Sequence, residues 1–342
     1  MSRVCHISKE ILFAAFEEVY NSSHLTEGVM VKRFEEEASK LHKGHAVSTS
    51  NAGTALFTIM SLMKKKTGRV LVSNNTFFAT GAMAEAAGWQ VILADCSADF
   101  CLSLETITQM YVQFPFDAVI LTHVGGALAT QYVAIAAFCK KNGIKLVEDA
   151  AHAYGVKGEG GYMAGELSHA AVFSFYPTKA VPVGEGGLVI TQDKLLAEEV
   201  ATFRNYGKYM SEGKVQYTGV GFNFRMDEWT AAVAWLQTKR IDEIICARAG
   251  IASRLAELVP EHPAFKGRNT NYYKYIAEPD ADIVRTAGKV YDVSDQLANS
   301  MKRKGRFIMS EKVSAGHICI PLQEGLYDGM HLGKINDYLK GR

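Results

Sequence analysis

Four short apolar runs, at residues 70–73, 91–94, 118–122 and 145–148, alternate with stretches that read as helices, at 79–87, 104–114 and 133–141. Runs this short and continuous suit strands buried on both faces. Helical returns between them bring each strand back beside the last. The rhythm predicts an α/β fold with a mostly parallel central sheet and flanking helices. Two further strands, at 171–174 and 187–191, extend the sheet, and 55–65 reads as a helix. From Asp227 a long helical pattern runs to about Leu258. Beyond Pro260 the alternation weakens, with strands expected at 272–277, 307–310 and 318–320 and helices at 293–303 and 332–339. This gives a large α/β domain over residues 1–240 and a small α+β domain over 241–342, bridged by the long helix.

The chain has 342 residues, enough for such a pair, and 48% hydrophobic with 21% charged residues suits a soluble globular protein. Its 37 basic and 36 acidic residues leave a net charge of +1, which gives no reason to expect nucleic acid or a charged membrane surface as partner. The basic clusters 64–66, 140–141 and 302–304 each precede a glycine, as cations in a last helical turn do before a C-cap. Six cysteines (Cys5, Cys96, Cys101, Cys139, Cys246 and Cys319) lack metal-ligand spacing and read as reduced thiols of a cytosolic protein. No signal-peptide core or membrane-length apolar run is present, so a cytoplasmic location is expected. The ten histidines show no paired metal spacing, and no metal site is expected.

The chemistry concentrates between Leu146 and Thr191. Asp149 follows an apolar strand at the end where open α/β sheets place ligands. Lys179 lies in Ser174-Phe-Tyr-Pro-Thr-Lys179, followed by Gly184, Gly186 and Gly187. An isolated aspartate there would read as a turn cap, and an isolated lysine as a surface residue. Together, in this order, they suit an enzyme of pyridoxal phosphate (PLP). The lysine would hold the cofactor as a Schiff base and the aspartate would keep its pyridine nitrogen protonated. Upstream, Ser50-Asn51-Ala52-Gly53-Thr54 leads into a helix. Gly53 and Thr54 are candidates for the phosphate, although the same residues make an ordinary N-cap. Ser174 is a further hydroxyl candidate. Phe77 could stack on a flat ring, where a lone Phe is more often core. His152 could contact the ring hydroxyl or cover its other face, the alternative being a satisfied core histidine.

These segments, with LTEGVMVKRFEEEASK, THVGG, FRNYGK and GFNFRMDEWTAAVAWLQ, resemble the DegT-type (StrS-type) nucleotide-sugar aminotransferases, a branch of the fold type I PLP-dependent transferases. The match runs from about Leu25 to Gln237 in consistent order. The resemblance implies that Lys179 carries the cofactor, Asp149 pairs with its ring nitrogen and His152 occupies a Gln/His position. It implies Gly53, Thr54 and Ser174 at the phosphate and Phe77 on the ring. It also implies that Asn223 reaches the phosphate of a neighbouring subunit, and hence a homodimer with shared active sites. The implied activity is transfer of an amino group, usually from glutamate, to a keto-sugar, with nucleotide-linked sugars the expected substrates. A dehydratase or lyase of the same fold and a binding or regulatory protein with little turnover are the alternatives. The dehydrating lineage carries histidine where this chain has Lys179. The chain departs from the family pattern near its end, where the loop that helps shape the acceptor site is short.

Overall fold

The computed structural model describes residues 7–63, 67–322 and 325–342. Cys5 and the cluster Lys64–Lys65–Lys66 lie outside the described residues, as does the expected end of the 55–65 helix. Before the sheet come helices α1 (Lys9–Ser22) and α2 (Val29–His42). The sheet strands are β1 (His45–Thr49), β2 (Arg69–Ser73), β3 (Gln90–Ala94), β4 (Ala118–Thr122), β5 (Lys145–Asp149), β6 (Ala170–Ser174) and β7 (Gly187–Thr191). Between and after them run α3 (Ala52–Leu62), α4 (Phe78–Ala86), α5 (Leu104–Gln113), α6 (Tyr132–Lys141) and α7 (Lys194–Phe203). A hairpin of β8 (Lys208–Ser211) and β9 (Lys214–Tyr217) leads to α8 (Glu228–Thr238) and α9 (Ile241–Ala256). The remaining elements are β10 (Tyr275–Ala277), α10 (Leu297–Ser300), α11 (Ile308–Ala315), β11 (Ile318–Ile320) and α12 (Leu332–Leu339).

Among the described residues the large sheet has seven strands in the order β1-β7-β6-β5-β4-β2-β3. The pairs β2–β3, β2–β4, β4–β5 and β5–β6 are parallel, and β7 alone is reversed, antiparallel to β6 and β1. The strands alternate inward residues between two cores, as a two-sided sheet requires. Leu71, Val119, Leu121 and Phe173 pack with Phe34, Ile107, Ile135 and Ala231 of α2, α5, α6 and α8. Val70, Val72, Ile120 and Val172 pack with Leu56, Ile59, Ala84 and Leu196 of α3, α4 and α7. A third cluster joins Leu255, Tyr275, Ile320, Tyr327 and Leu339 around the β10–β11 pair.

One buried carboxylate fixes where α2 begins. Glu228, at the start of α8, accepts from the backbone N–H groups of Gly28 (2.9 Å), Met30 (2.8 Å) and Val31 (3.1 Å). Three donors that a helix start leaves free are thereby satisfied, and the negative charge faces the positive end of the helix. A Cβ on Gly28 would meet Glu228 Oε2 at 2.7 Å, so the close approach requires glycine.

The C-terminal third corrects several expectations. The helix expected from Asp227 to Leu258 is two helices, broken at Lys239 and Arg240. No Pro or Gly marks the break. It lets Ile241 and Ile244 pack in the first core while Ala252 and Leu255 reach the third. The strand expected at 307–310 is the start of α11. Asp95, just past β3, accepts from Met309 N–H (2.7 Å), Ser310 N–H (2.8 Å) and Ser310 Oγ (2.7 Å), a cap supplied from across the chain. The helix expected at 293–303 shrinks to a short turn and α10, because Gln296 is extended to meet Asn74 after β2. The strand expected at 272–277 is only Tyr275–Ala277, since Tyr272 has a left-handed φ of 50°. Lys140 and Lys141 do end α6 before Gly143 at φ 66°. The cluster 302–304 does not end a helix: α10 stops at Ser300, Lys302 itself is left-handed, and Arg303 pairs with Glu85. Cys96, Cys101, Cys139, Cys246 and Cys319 are free thiols.

Candidate active site

The C-terminal ends of the parallel strands open into a cavity of about 560 Å³. Its wall includes Asn51, Gly53, Phe77, Asp149, His152, Ser174 and Lys179. Residues 51–53 follow β1, Phe77 follows β2, Asp149 ends β5 and Ser174 ends β6. Parallel strands bring these ends together although the residues are far apart in sequence.

At the start of α3, Asn51 is the N-cap. Its Oδ1 accepts from Thr54 N–H at 2.9 Å, and Thr54 Oγ1 accepts in turn from Asn51 N–H at 3.3 Å. Thr54 is therefore turned into a capping box, its hydroxyl donating to Asn51 O at 2.8 Å. Ala52 and Gly53 are the first two helical residues, whose N–H groups have no intrahelical acceptor. Both line the cavity, at the positive end of a helix. The turn is supported from behind by Gly187 on β7. A Cβ there would lie 2.4 Å from Asn51 C and O and 2.5 Å from Thr49 Oγ1. Gly187→Ala is expected to displace the turn, with a loss of about 1–3 kcal/mol in stability and weaker PLP binding. Denaturant unfolding and a PLP titration check this, and wild-type affinity in the variant would refute the close-approach argument.

Asp149 is buried. Its Oδ2 accepts from Thr80 Oγ1 at 2.6 Å and its Oδ1 from Ala151 N–H at 3.2 Å. Lys179 is half-buried, with Nζ 5.0 Å from the centroid of the Tyr273 ring. Burial pushes its amine below the ordinary lysine value, while Tyr273 and Asp149 act in the opposite sense and Lys274 adds to the lowering. His152 is buried and stacks on Tyr273 at 4.1 Å and 18°. Burial, with Lys179 and Lys274 nearby, holds its imidazole well below the usual histidine range, so it is neutral. Phe77 is 59% exposed, which sets it apart from a core phenylalanine, and it forms part of the cavity wall. Asn223 is exposed, bridged to Asn205, and not part of this wall.

The cavity also contains residues that the sequence did not single out. Tyr273, Val290, Tyr291 and Asp295 come from beyond residue 270, and Glu185 from the glycine-rich turn. Asn271 positions the first of these. Its Nδ2 donates to the carbonyls of His152 (2.9 Å) and Tyr154 (3.0 Å), and its Oδ1 accepts from Tyr273 N–H (2.9 Å). No local pattern announces such contacts.

Beside the cavity, Glu148 faces away from Asp149, as neighbours on a strand do. It accepts from His123 Nε2 (2.6 Å), Tyr132 O–H (2.8 Å) and Gly165 N–H (2.9 Å), all fully or nearly buried. Ala129 N–H donates to His123 Nδ1 at 3.0 Å, which leaves the proton on Nε2.

The sequence profile of the DegT/DnrJ/EryC1/StrS aminotransferase family matches residues 6–305. The chain belongs to that family. Among similar proteins is a dTDP-3-amino-3,4,6-trideoxy-alpha-D-glucose transaminase of Micromonospora megalomicea subsp. nigra, 29% identical over 82% of this chain and 78% of the relative. A pleiotropic regulatory protein of Geobacillus stearothermophilus is 30% identical over 74% of this chain and 68% of its own. The structure of PseC, an aminotransferase of Helicobacter pylori involved in the biosynthesis of pseudoaminic acid, superposes with a TM-score of 0.87 at 20% identity. That superposition covers 99% of this chain and 97% of PseC. This DegT/DnrJ/EryC1/StrS member is thus a PLP-dependent aminotransferase of α/β fold. The residues present fit PLP: free helix-start amides, a buried carboxylate, a half-buried amine and an apolar face converge on one cavity. Among the described residues no helix is long and apolar enough to cross a membrane, and no group of three His, Cys, Asp or Glu could hold a metal ion.

Proposed function

We propose that this chain moves an amino group from an amino acid, glutamate first among them, to the ketone carbon of a nucleotide-linked sugar. The observation that carries this reading is the meeting of Lys179, Asp149, His152, Phe77 and the Gly53 turn around one cavity in a sugar-aminotransferase family. The nucleotide handle rests on relatives such as the dTDP-sugar transaminase and a GDP-perosamine synthase of Vibrio cholerae.

PLP, when bound, supplies an electron sink for the carbanion formed at the donor's α-carbon. The Ala52 and Gly53 amides, with the Ser174 hydroxyl, hold its phosphate. Thr54 serves that site indirectly, through the cap that fixes the turn. Phe77 covers one face of the ring. Asp149 keeps the ring nitrogen protonated, and neutral His152 presents an uncharged edge. Lys179 would tether the cofactor, and its amine, when free, would take a proton from the donor's α-carbon and return one. Its lowered basicity suits that exchange, because a half-buried amine gives up its proton more readily than an exposed one. One water is consumed as the donor leaves as a 2-oxo acid, and one is released as the sugar's carbonyl oxygen is replaced by nitrogen.

Asn223 is read as serving the cavity of a second copy in a homodimer. Its exposure, and the exposed Tyr209, Met210, Tyr217, Val220 and Phe222 around it, support that reading. Residues 241–342 are read as the small domain, and the protein as cytoplasmic. The test mixes purified, PLP-loaded protein with glutamate and assays 2-oxoglutarate. About one equivalent per site is expected, with loss of the enzyme's yellow colour, and addition of a dTDP- or UDP-linked keto-hexose should then yield the amino-sugar. Absence of any colour change with every amino acid tried would refute amino transfer.

A further inference from the structure

The carboxylate of Asp149 ends a chain of buried hydroxyls whose direction can be read from its proton count. A hydroxyl has one proton to donate. Thr80 Oγ1 donates its proton to Asp149 Oδ2 at 2.6 Å. Its contact with Thr76 Oγ1 at 2.9 Å is therefore one in which Thr80 accepts. With the Thr76 proton committed, Thr122 Oγ1, 2.9 Å away, donates to Thr76. The Tyr291 hydroxyl lies beside Thr76 at the edge of this chain. At the far end His152 Nδ1 accepts from Gly125 N–H at 3.4 Å, which places the imidazole proton on Nε2, 3.5 Å from Tyr291 O. Thr76, Thr80, Thr122 and Tyr291 are all buried.

Every proton in this chain points toward Asp149. Bonds aligned in one direction polarise each other, and in a dry site the effect is larger than in water. The chain also leaves Asp149 one defined set of free lone pairs, since Thr80 and Ala151 take the others. We propose that Thr80 is a positioning residue of the cofactor site, which, backed by the Thr76 and Thr122 hydroxyls, orients the Asp149 carboxylate toward the pyridine ring and stabilises its charge. This rests on reading Asp149 as the partner of the ring nitrogen. The chain joins β4, β5, α4 and the loop after β2.

The test is a double-mutant cycle read as PLP affinity of the full chain, with the melting temperature of the cofactor-free protein as a control for folding. Thr80→Val keeps the shape and removes the donor, and is expected to weaken PLP binding about 10-fold, as loss of a hydrogen bond to a charged group does. Thr80→Ser is expected to bind within about 2-fold of wild type, since it restores the donor. In an Asp149→Ala background, Thr80→Val is expected to change nothing further. Wild-type affinity in Thr80→Val overturns the proposal. So does an equal loss in Thr80→Ser, or independent losses from Thr80→Val and Asp149→Ala. A chain that binds PLP yet fails to aminate a keto-sugar would refute the proposed substrate and leave this cycle unaffected.

Discussion

Lys179→Ala and Lys179→Arg are both expected to lower amino transfer by roughly 10²–10⁴-fold, the range for removing a positioned acid–base group. Arginine keeps the charge and most of the volume but cannot exchange a proton near neutrality, so its failure would separate basicity from charge. The melting temperature should stay close to wild type, because Lys179 lies at the cavity wall, where its amine meets the ring of Tyr273. Borohydride treatment of the loaded wild type, followed by peptide mapping, should place the cofactor on Lys179. An adduct on another lysine, or substantial turnover in Lys179→Ala, would remove Lys179 from the mechanism.

Glu148→Ala should give the largest loss of stability, about 3–5 kcal/mol, the range for removing one partner of a buried charged network. His123 and Gly165 would each keep a donor with no acceptor, and Tyr132 only the Met163 carbonyl at 3.5 Å, in a place that water does not reach. The damage would spread, because Leu167 N–H donates to Tyr132 O and Ala129 N–H to His123 Nδ1. Glu148→Gln retains an acceptor oxygen and should lose less. Urea unfolding of both variants measures the difference, and a loss under about 1 kcal/mol for Glu148→Ala would show that water fills the gap.

The contrast between Glu148 and Asp149 shows what the sequence could and could not convey. Both end the same apolar run, and the central strands β2, β4 and β5 were legible because buried parallel strands are short and continuously apolar. Asp149 stood out only through its order relative to Lys179 and the Asn51–Thr54 turn. Glu148 has no local signature, since its three donors come from α6 and two separate loops. The same holds for α11. Phe307-Ile-Met-Ser310 has the look of a strand, and Asp95, a cap more than two hundred residues earlier, makes it a helix. The hydroxyl of Thr54 was ambiguous between phosphate contact and cap; the capping box with Asn51 resolves the local geometry. Tyr273 and Tyr291 were missed because the alternation that guides a reading of strands fades after Pro260. Asn271 places Tyr273 by reaching the carbonyls of His152 and Tyr154, and Gln296 ties the segment after Tyr291 to Asn74, contacts between residues far apart in sequence.

The junction of Asn74 with Gln296 has a consequence for how the enzyme comes into being. It joins residues 222 positions apart, and Leu297 and Ala298 bond to Asn74 as well. Contacts across so long a chain form late, because a large loop must close first. The strands of the seven-stranded sheet are complete by Thr191 and the helices α7 and α8 that cover it by Thr238, so this scaffold can assemble while the remainder is still being synthesised. The cavity, by contrast, lacks Tyr273, Tyr291 and Asp295 until that remainder docks. Tight retention of PLP therefore certifies that both ends of the polypeptide have found each other, and a nascent or clipped chain would present a finished scaffold with an unfinished pocket.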